Sequence, residues 1–398
     1  MKDSPLDSVA TPKVAIDWYR ATPWWPLASQ SIVISWRATH ILLCAAALLL
    51  TQVWLAVCHA TFGPEKAIFH DWLNPSAFPQ SFPLGLGPQE TESPLWIWQK
   101  FLFPVFQALS NPTLREIAFC LSSMIGIIAI WSFVGGCLAR RSVVEMGTKM
   151  TAPWAASIRL VLGRWQSIAW SVTMPSGLIV LIAVGPLLLG WLSNIPAVGP
   201  WIAGLLMVPV IFLCIGIGWC AAITLFGFPL SVCAIVTEKG ADAYDGISRS
   251  AAYTFQRPLT LVLCVLAAEF LSKVGGILLS IVLTTGFRVV EAAFDLGSFS
   301  SLRDFESMWG PILRGIVPLL LAAYGLSYFW TASAATYLIL RKDVDHAEFD
   351  LVDMEIEERK SLPELPKADL PKGGAAAPAS EAQSNDAPSN ALPESTAE

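Results

Sequence analysis

The stretch LTLVLCVLAAEFLSKVGGILLSIVLTT, residues 259–285, runs for 27 residues with only two charged side chains, Glu269 and Lys273. As an α-helix it is ~40 Å long at ~1.5 Å per residue, more than the ~30 Å needed to cross the hydrocarbon core of a bilayer. It therefore reads as a transmembrane helix. Counted from Leu259, its two charges lie ~15–21 Å along the axis, near the midplane. A lone charge there costs ~2.5–3.5 kcal/mol on insertion scales. Glu269 and Lys273 are four residues apart with the acid first, the better orientation for a helical ion pair. Pairing lets the helix insert almost neutral. Gly275 and Gly276 follow, so a neighbouring helix can approach closely. Two readings stand side by side. The pair is a self-neutralised anchor that fixes the helix inside a bundle, or a gate or coupling site on a transport path.

The rest of the chain repeats the theme. Of 398 residues, 54% are hydrophobic and 14% charged, against roughly 25% charged in ordinary globular domains. Mean hydropathy is +0.57. The 17 tryptophans suit a protein with two bilayer interfaces. Further apolar runs fall at about 38–61, 114–138, 167–192, 199–226 and 312–340. The fourth continues to Val236 through a bend expected at Gly227 and Pro229. The expected fold is an all-α, polytopic membrane bundle of about six transmembrane helices. The polar lead, residues 1–37, with Trp18, Trp24, Trp25 and Trp36, reads as a segment on the membrane surface. Its length places the first apolar run too late for a cleaved signal peptide, so that run is expected to be retained. Residues 93–109, interrupted by Pro104, read as an interfacial helix rather than a span.

Charge divides the chain into two regions: a membrane domain, 1–342, and an acidic cytoplasmic tail, 343–398. The tail holds 14 Asp/Glu and 4 Lys/Arg, a net of −10, which leaves +4 for the body. From about Leu362 it is dominated by Pro, Ala, Ser, Glu and Asn and cannot offset its ordering entropy, so disorder is expected. Six spans put both termini on one side. The segments on that side hold 14 Lys/Arg, against 6 on the other. The positive-inside bias then makes both termini cytoplasmic, in an inner membrane.

Two polar segments on that side stand out. In EKGADAYDGISRSAAYTFQRP, residues 238–258, Glu238, Asp242, Asp245 and Arg249 fall within about 60° on a helical wheel. Tyr244, Ile247, Ala251 and Phe255 occupy the opposite side. An amphipathic helix ending before Pro258 is expected, its apolar stripe in the bilayer boundary and its charged stripe facing cytoplasm or protein. The three carboxylates are also enough for a cation, although no carbonyl-rich glycine loop supports them. The second segment, 141–166, is expected to be another interfacial helix with a basic face: Arg140, Arg141, Lys149, Arg159 and Arg164. Those side chains form an ordinary positive flank, bind anionic lipid head groups at ~1 kcal/mol each, or dock on the acidic stripe. Arg159, Trp165 and Gln166 also recur 90 residues later as Arg249, Phe255 and Gln256, which is either a duplication or a coincidence.

The pattern from Glu238 to Ser250, followed by Phe255-Gln256-Arg257-Pro258, resembles a group of uncharacterised polytopic membrane proteins of planctomycete-type bacteria. It is more distantly similar to the membrane domain of glycerophosphodiester phosphodiesterases. FVGGCLARRSVVEM (133–146) and YLILRKDVDHAEFD (337–350) add to the likeness, which covers about half the chain. That resemblance implies a membrane domain and no activity. The phosphodiesterase barrel, with its His and Glu metal ligands, is absent from the sequence.

No nucleophile–base pair, phosphate loop or metal-ligand spacing appears. The eight cysteines lie in or beside apolar runs and read as small packing residues. The four histidines are scattered. No cofactor and no metal is expected. No Lys/Arg block suggests nucleic acid. The expected partners are the lipid bilayer, with anionic lipids at the cytoplasmic face, and a protein partner. The leading reading is a non-enzymatic integral membrane protein with a structural, lipid-organising or partner-binding role. A transporter or permease-like subunit is the alternative, and a lipid-acting enzyme a third.

Overall fold

The computed structural model describes residues 24–63, 113–196, 198–297, 302–350 and 352. Among them there are helices and no strands. In chain order they are α1 (Trp24–Ser35), α2 (Ala38–Phe62), α3 (Leu114–Thr148), α4 (Trp154–Ser193), α5 (Gly199–Leu205), α6 (Met207–Ala222), α7 (Phe228–Thr237), α8 (Ala243–Gln256), α9 (Pro258–Gly297) and α10 (Leu302–Asp345). A single π-helical turn, Ile223–Gly227, joins α6 to α7. Six stretches are long and apolar enough to cross a bilayer: Ala38–Phe62, Leu114–Thr148, Trp154–Ser193, Met207–Thr237, Pro258–Val290 and Gly315–Asp345. The protein is thus an all-α, multi-pass membrane bundle. The segments expected at 93–109 and in the tail beyond 352 lie outside the described residues, as do residues 1–23.

Local chemistry sets the helix ends. Thr113 caps α3: its hydroxyl accepts from the Glu116 N–H at 3.3 Å, and the Glu116 carboxylate accepts from the Thr113 N–H at 2.8 Å. Gly63 ends α2 in the left-handed conformation, φ 52°, which glycine adopts without a Cβ penalty. At Pro229 the missing N–H deprives the α6–α7 rod of a ladder bond, and the π turn lies immediately before it. The break in regular helix lies where the sequence places the bend.

The second half of α3, all of α7 and the C-terminal half of α10 form the centre of the bundle. Leu138, Val143, Leu230, Ile235, Tyr337 and Leu340 are fully buried there. Glycine lets the rods approach. A Cβ on Gly135 would lie 2.2 Å from the Trp330 ring, and one on Gly275 would lie 2.0 Å from the Tyr324 hydroxyl. Without a hydrophobic drive between helices in lipid, this small-against-large packing is a main source of association. In contrast, the outer half of α4 and all of α6 form a hairpin whose side chains are exposed or half-buried, with none of those on α6 buried. Its helices pack mainly on each other.

Two expectations change. The segment 141–166 is not a separate interfacial helix. Residues 141–148 complete α3 and 154–166 begin α4. A run of charges looks like a membrane exit to a hydropathy reading, but Arg140 and Arg164 meet acceptors within the protein and the helices continue. The described part of the lead, α1, is not merely laid on a surface either. It packs against α10 and α9, with Leu27, Ser31, Ile34 and Ser35 buried. By contrast, 243–256 does form the separate amphipathic helix expected of it. Its polar and small face (Gly246, Ser250, Tyr253) is buried, while Tyr244 and Phe255 remain exposed. Trp165 donates to the Ala129 carbonyl, whereas Phe255 stacks on Trp219. The two halves of the suspected duplication thus sit in different surroundings.

Candidate functional site at the basic end of the bundle

The ends of α3, α7 and α10 and the starts of α2, α4 and α9 converge on one end of the bundle, where α8 packs on α7, α4, α9 and α10. Most of the described ion pairs gather there. Arg140 and Arg141 are only 6% and 7% exposed. Arg140 Nη1 donates to the Val236 carbonyl at 2.8 Å. Arg164 Nη1 donates to the Ile235 and Glu238 carbonyls at 2.6 and 2.5 Å. The last carbonyls of a helix have no intrahelical partner, and its C-terminus carries partial negative charge. Two arginines from two other helices therefore cap α7. Arg141 instead lies over the Trp154 ring, 3.9 Å from its centroid, a cation–π contact. Of the five basic residues expected to form one face, Arg159 and Lys149 are exposed. Lys149 donates to Gln30 Oε1 at 2.9 Å and to the Met146 carbonyl at 3.1 Å. Burial lowers its pKa.

The charged stripe of 238–249 separates into two jobs. Asp242 and Asp245 form a capping box. Asp242 Oδ1 accepts from the Asp245 N–H at 2.9 Å, and Asp245 Oδ2 from the Asp242 N–H at 3.5 Å. They therefore hold the start of α8. Glu238 and Arg249 enter a network that sequence spacing does not reveal. Arg249 Nη1 lies 2.8 Å from Glu238 Oε1 and 3.6 Å from Asp345 Oδ2. The Tyr337 hydroxyl donates to Glu238 Oε1 at 3.0 Å, and the Tyr253 hydroxyl donates to Asp345. Burial pushes the Tyr253 pKa up, and its bond to Asp345 together with the Asp345 and Glu238 charges pushes it further. Burial opposes the Arg249 charge, but Glu238 and Tyr253 outweigh it and leave its pKa raised. Beside this network, Asp343 Oδ2 receives Arg257 Nε and the Thr260 hydroxyl, both at 3.4 Å. Arg37 makes a bidentate pair with Glu145, one arm at 2.6 Å. The first residues of the acidic tail are thus tied to the bundle.

Glu269 and Lys273 do pair, at 3.5 Å. They are not sealed, because the Lys273 side chain is 37% exposed and that of Glu269 18%. The basic-end network lies apart from them, near the start of α9 rather than at its middle. Its members from α10, Tyr337 and Asp345, are about a hundred residues from their partners, so no local pattern points to them. No group of three or more His, Cys, Asp or Glu that could hold a metal occurs among the described residues. His40 is fully buried, edge-on to Trp154 at 5.7 Å, with neither ring nitrogen hydrogen-bonded. No protein family profile, curated protein or solved structure matches the chain.

Proposed function

We propose that this integral membrane protein is a non-enzymatic scaffold that organises lipid or docks a protein partner at its basic end, in the inner membrane with both termini cytoplasmic. One observation carries the reading. Glu238, Arg249, Asp345, Tyr253 and Tyr337 satisfy one another across α7, α8 and α10. Polar groups used in that way brace helix ends, and a nucleophile or general base needs a group left free to react. The resemblance to uncharacterised planctomycete-type membrane proteins fits the same reading. So does the net positive body, which favours an anionic leaflet.

Reconstitution tests it. In vesicles the protein should leave ion and solute flux at the level of empty vesicles, and should release no lipid head group or fatty acid. Its unfolding temperature should rise when phosphatidylglycerol replaces phosphatidylcholine. Flux that disappears in Glu269→Gln would establish the second reading, a transport subunit. That reading is favoured by the partial exposure of Lys273 at mid-span.

A further inference from the structure

A groove of about 440 Å³ lies between α1, α9 and α10. That volume is within the range of small-molecule sites, ~300–1,000 Å³. Its walls are mostly small or apolar: Ala28 and Ser31 from α1, Ala267 and Ala268 from α9, Ala332 and Ala335 from α10. On α9 it extends from Thr260 to Leu271, and on α10 from Ile339 to Tyr328. Each stretch is twelve residues, whose ends lie eleven steps or ~16 Å apart at ~1.5 Å per residue. That is close to half of the ~30 Å hydrocarbon core, the depth of one leaflet. Leu263, 57% exposed, opens one wall towards the bilayer.

The two ends of the groove differ. The inner end is closed by Tyr328 and Leu271. At the outer end Thr260 shares the Asp343 carboxylate with Arg257, whose side chain is half-exposed just before the span begins. Arg257 pairs with Asp343 but is the more exposed of the two, 53% against 39%, so the mouth of this apolar slot, one leaflet deep, turns the cation outward; that matches an amphiphile with an anionic head and a hydrocarbon tail. From this geometry we infer that the groove holds one acyl chain of a phospholipid from the leaflet at the basic end, with its phosphate at Arg257. The inference deepens the lipid-organising part of the proposed function and rests on α9 and α10 lying in a bilayer. The test below reads occupancy and not flux, so either conclusion can fail alone.

The full chain in nanodiscs containing phosphatidylglycerol with a photoactivatable group in its acyl chain is irradiated, and labelled peptides are mapped by mass spectrometry. The expected result is label concentrated on 260–271 and 328–339, above that on the exposed α4–α6 hairpin. Ala267→Trp, which fills the groove, should abolish this excess. Leu266→Trp, on the exposed face outside the groove, should preserve it. Unlabelled phosphatidylglycerol should compete better than phosphatidylcholine, and Arg257→Gln should remove that preference. The wild-type map decides even where Ala267→Trp does not fold. Label spread evenly over the lipid-facing helices would overturn the inference. So would residues 1–23 of the chain cross-linking into the groove in place of lipid.

Discussion

Arg249 joins three segments through one guanidinium, and the tyrosines beside it make the arrangement sensitive to alkali. Tyr253 has a raised pKa, first because it is buried and then because of Asp345 and Glu238. A raised value means that the folded protein holds the phenolic proton more tightly than the unfolded chain. This contribution is complete below the unfolded tyrosine pKa of ~10 and declines as pH rises above it. Unfolding followed by tryptophan fluorescence should therefore show stability falling above about pH 10. Tyr253→Phe should remove part of that fall while lowering stability at neutral pH. His40 makes the opposite case. Both its ring nitrogens are buried without a hydrogen bond, a state that costs ~1–3 kcal/mol for a polar group. His40→Leu should raise the unfolding temperature, and an unchanged or lower value would show that the ring has a partner in the membrane. Glu238 and Arg249 were legible as one stripe because four-residue spacings survive in any helix. Their partners Tyr337 and Asp345 were not, because only the packing of α8 across α10 brings them near.

At the scale of elements, hydropathy located the six spans because burial in lipid is a property of a run of side chains and hardly depends on neighbours. It misjudged where α3 and α4 meet, since Arg140 and Arg164 count as charges in a window but act as caps for α7. The start of α8 rests on Asp242. Asp242→Ala should lower stability by ~1 kcal/mol, the usual loss of an N-cap, read from the urea or heat midpoint in detergent. Glycine substitutions separate packing from helix propensity. Gly275→Ala places a methyl against the Tyr324 hydroxyl and should destabilise the α9–α10 contact. Gly177→Ala meets nothing within 4 Å and should be neutral, or stabilising by up to ~1 kcal/mol through propensity alone. Equal effects in the two variants would refute the role given to close approach in holding α9. The Gly275 contact is half visible in the sequence, where Gly275–Gly276 announces a tight neighbour but not which helix supplies it.

For the whole molecule, Arg37 and Asp345 lie at one end of the bundle, consistent with an even number of crossings. On the orientation proposed from the basic bias, reporter fusions at either terminus should both give the cytoplasmic signal. A split result would mean an odd number of crossings.

The firm packing of the basic end and the isolation of the α4–α6 hairpin have a joint consequence. Trp170 and Trp191 are both exposed on α4, 21 residues apart. That is ~32 Å along the axis, about one hydrocarbon thickness, with an aromatic ring at each level where such rings collect. A rod of fixed length held at one end by a braced platform must lean when the membrane thins. The π turn at Ile223–Gly227, where the hairpin rejoins the centre, and Pro175 and Pro186 within α4 interrupt the helix ladder and are the places to absorb that lean. In bilayers of decreasing acyl length, emission from Trp191 should shift, while the Arg249 tie stays in register.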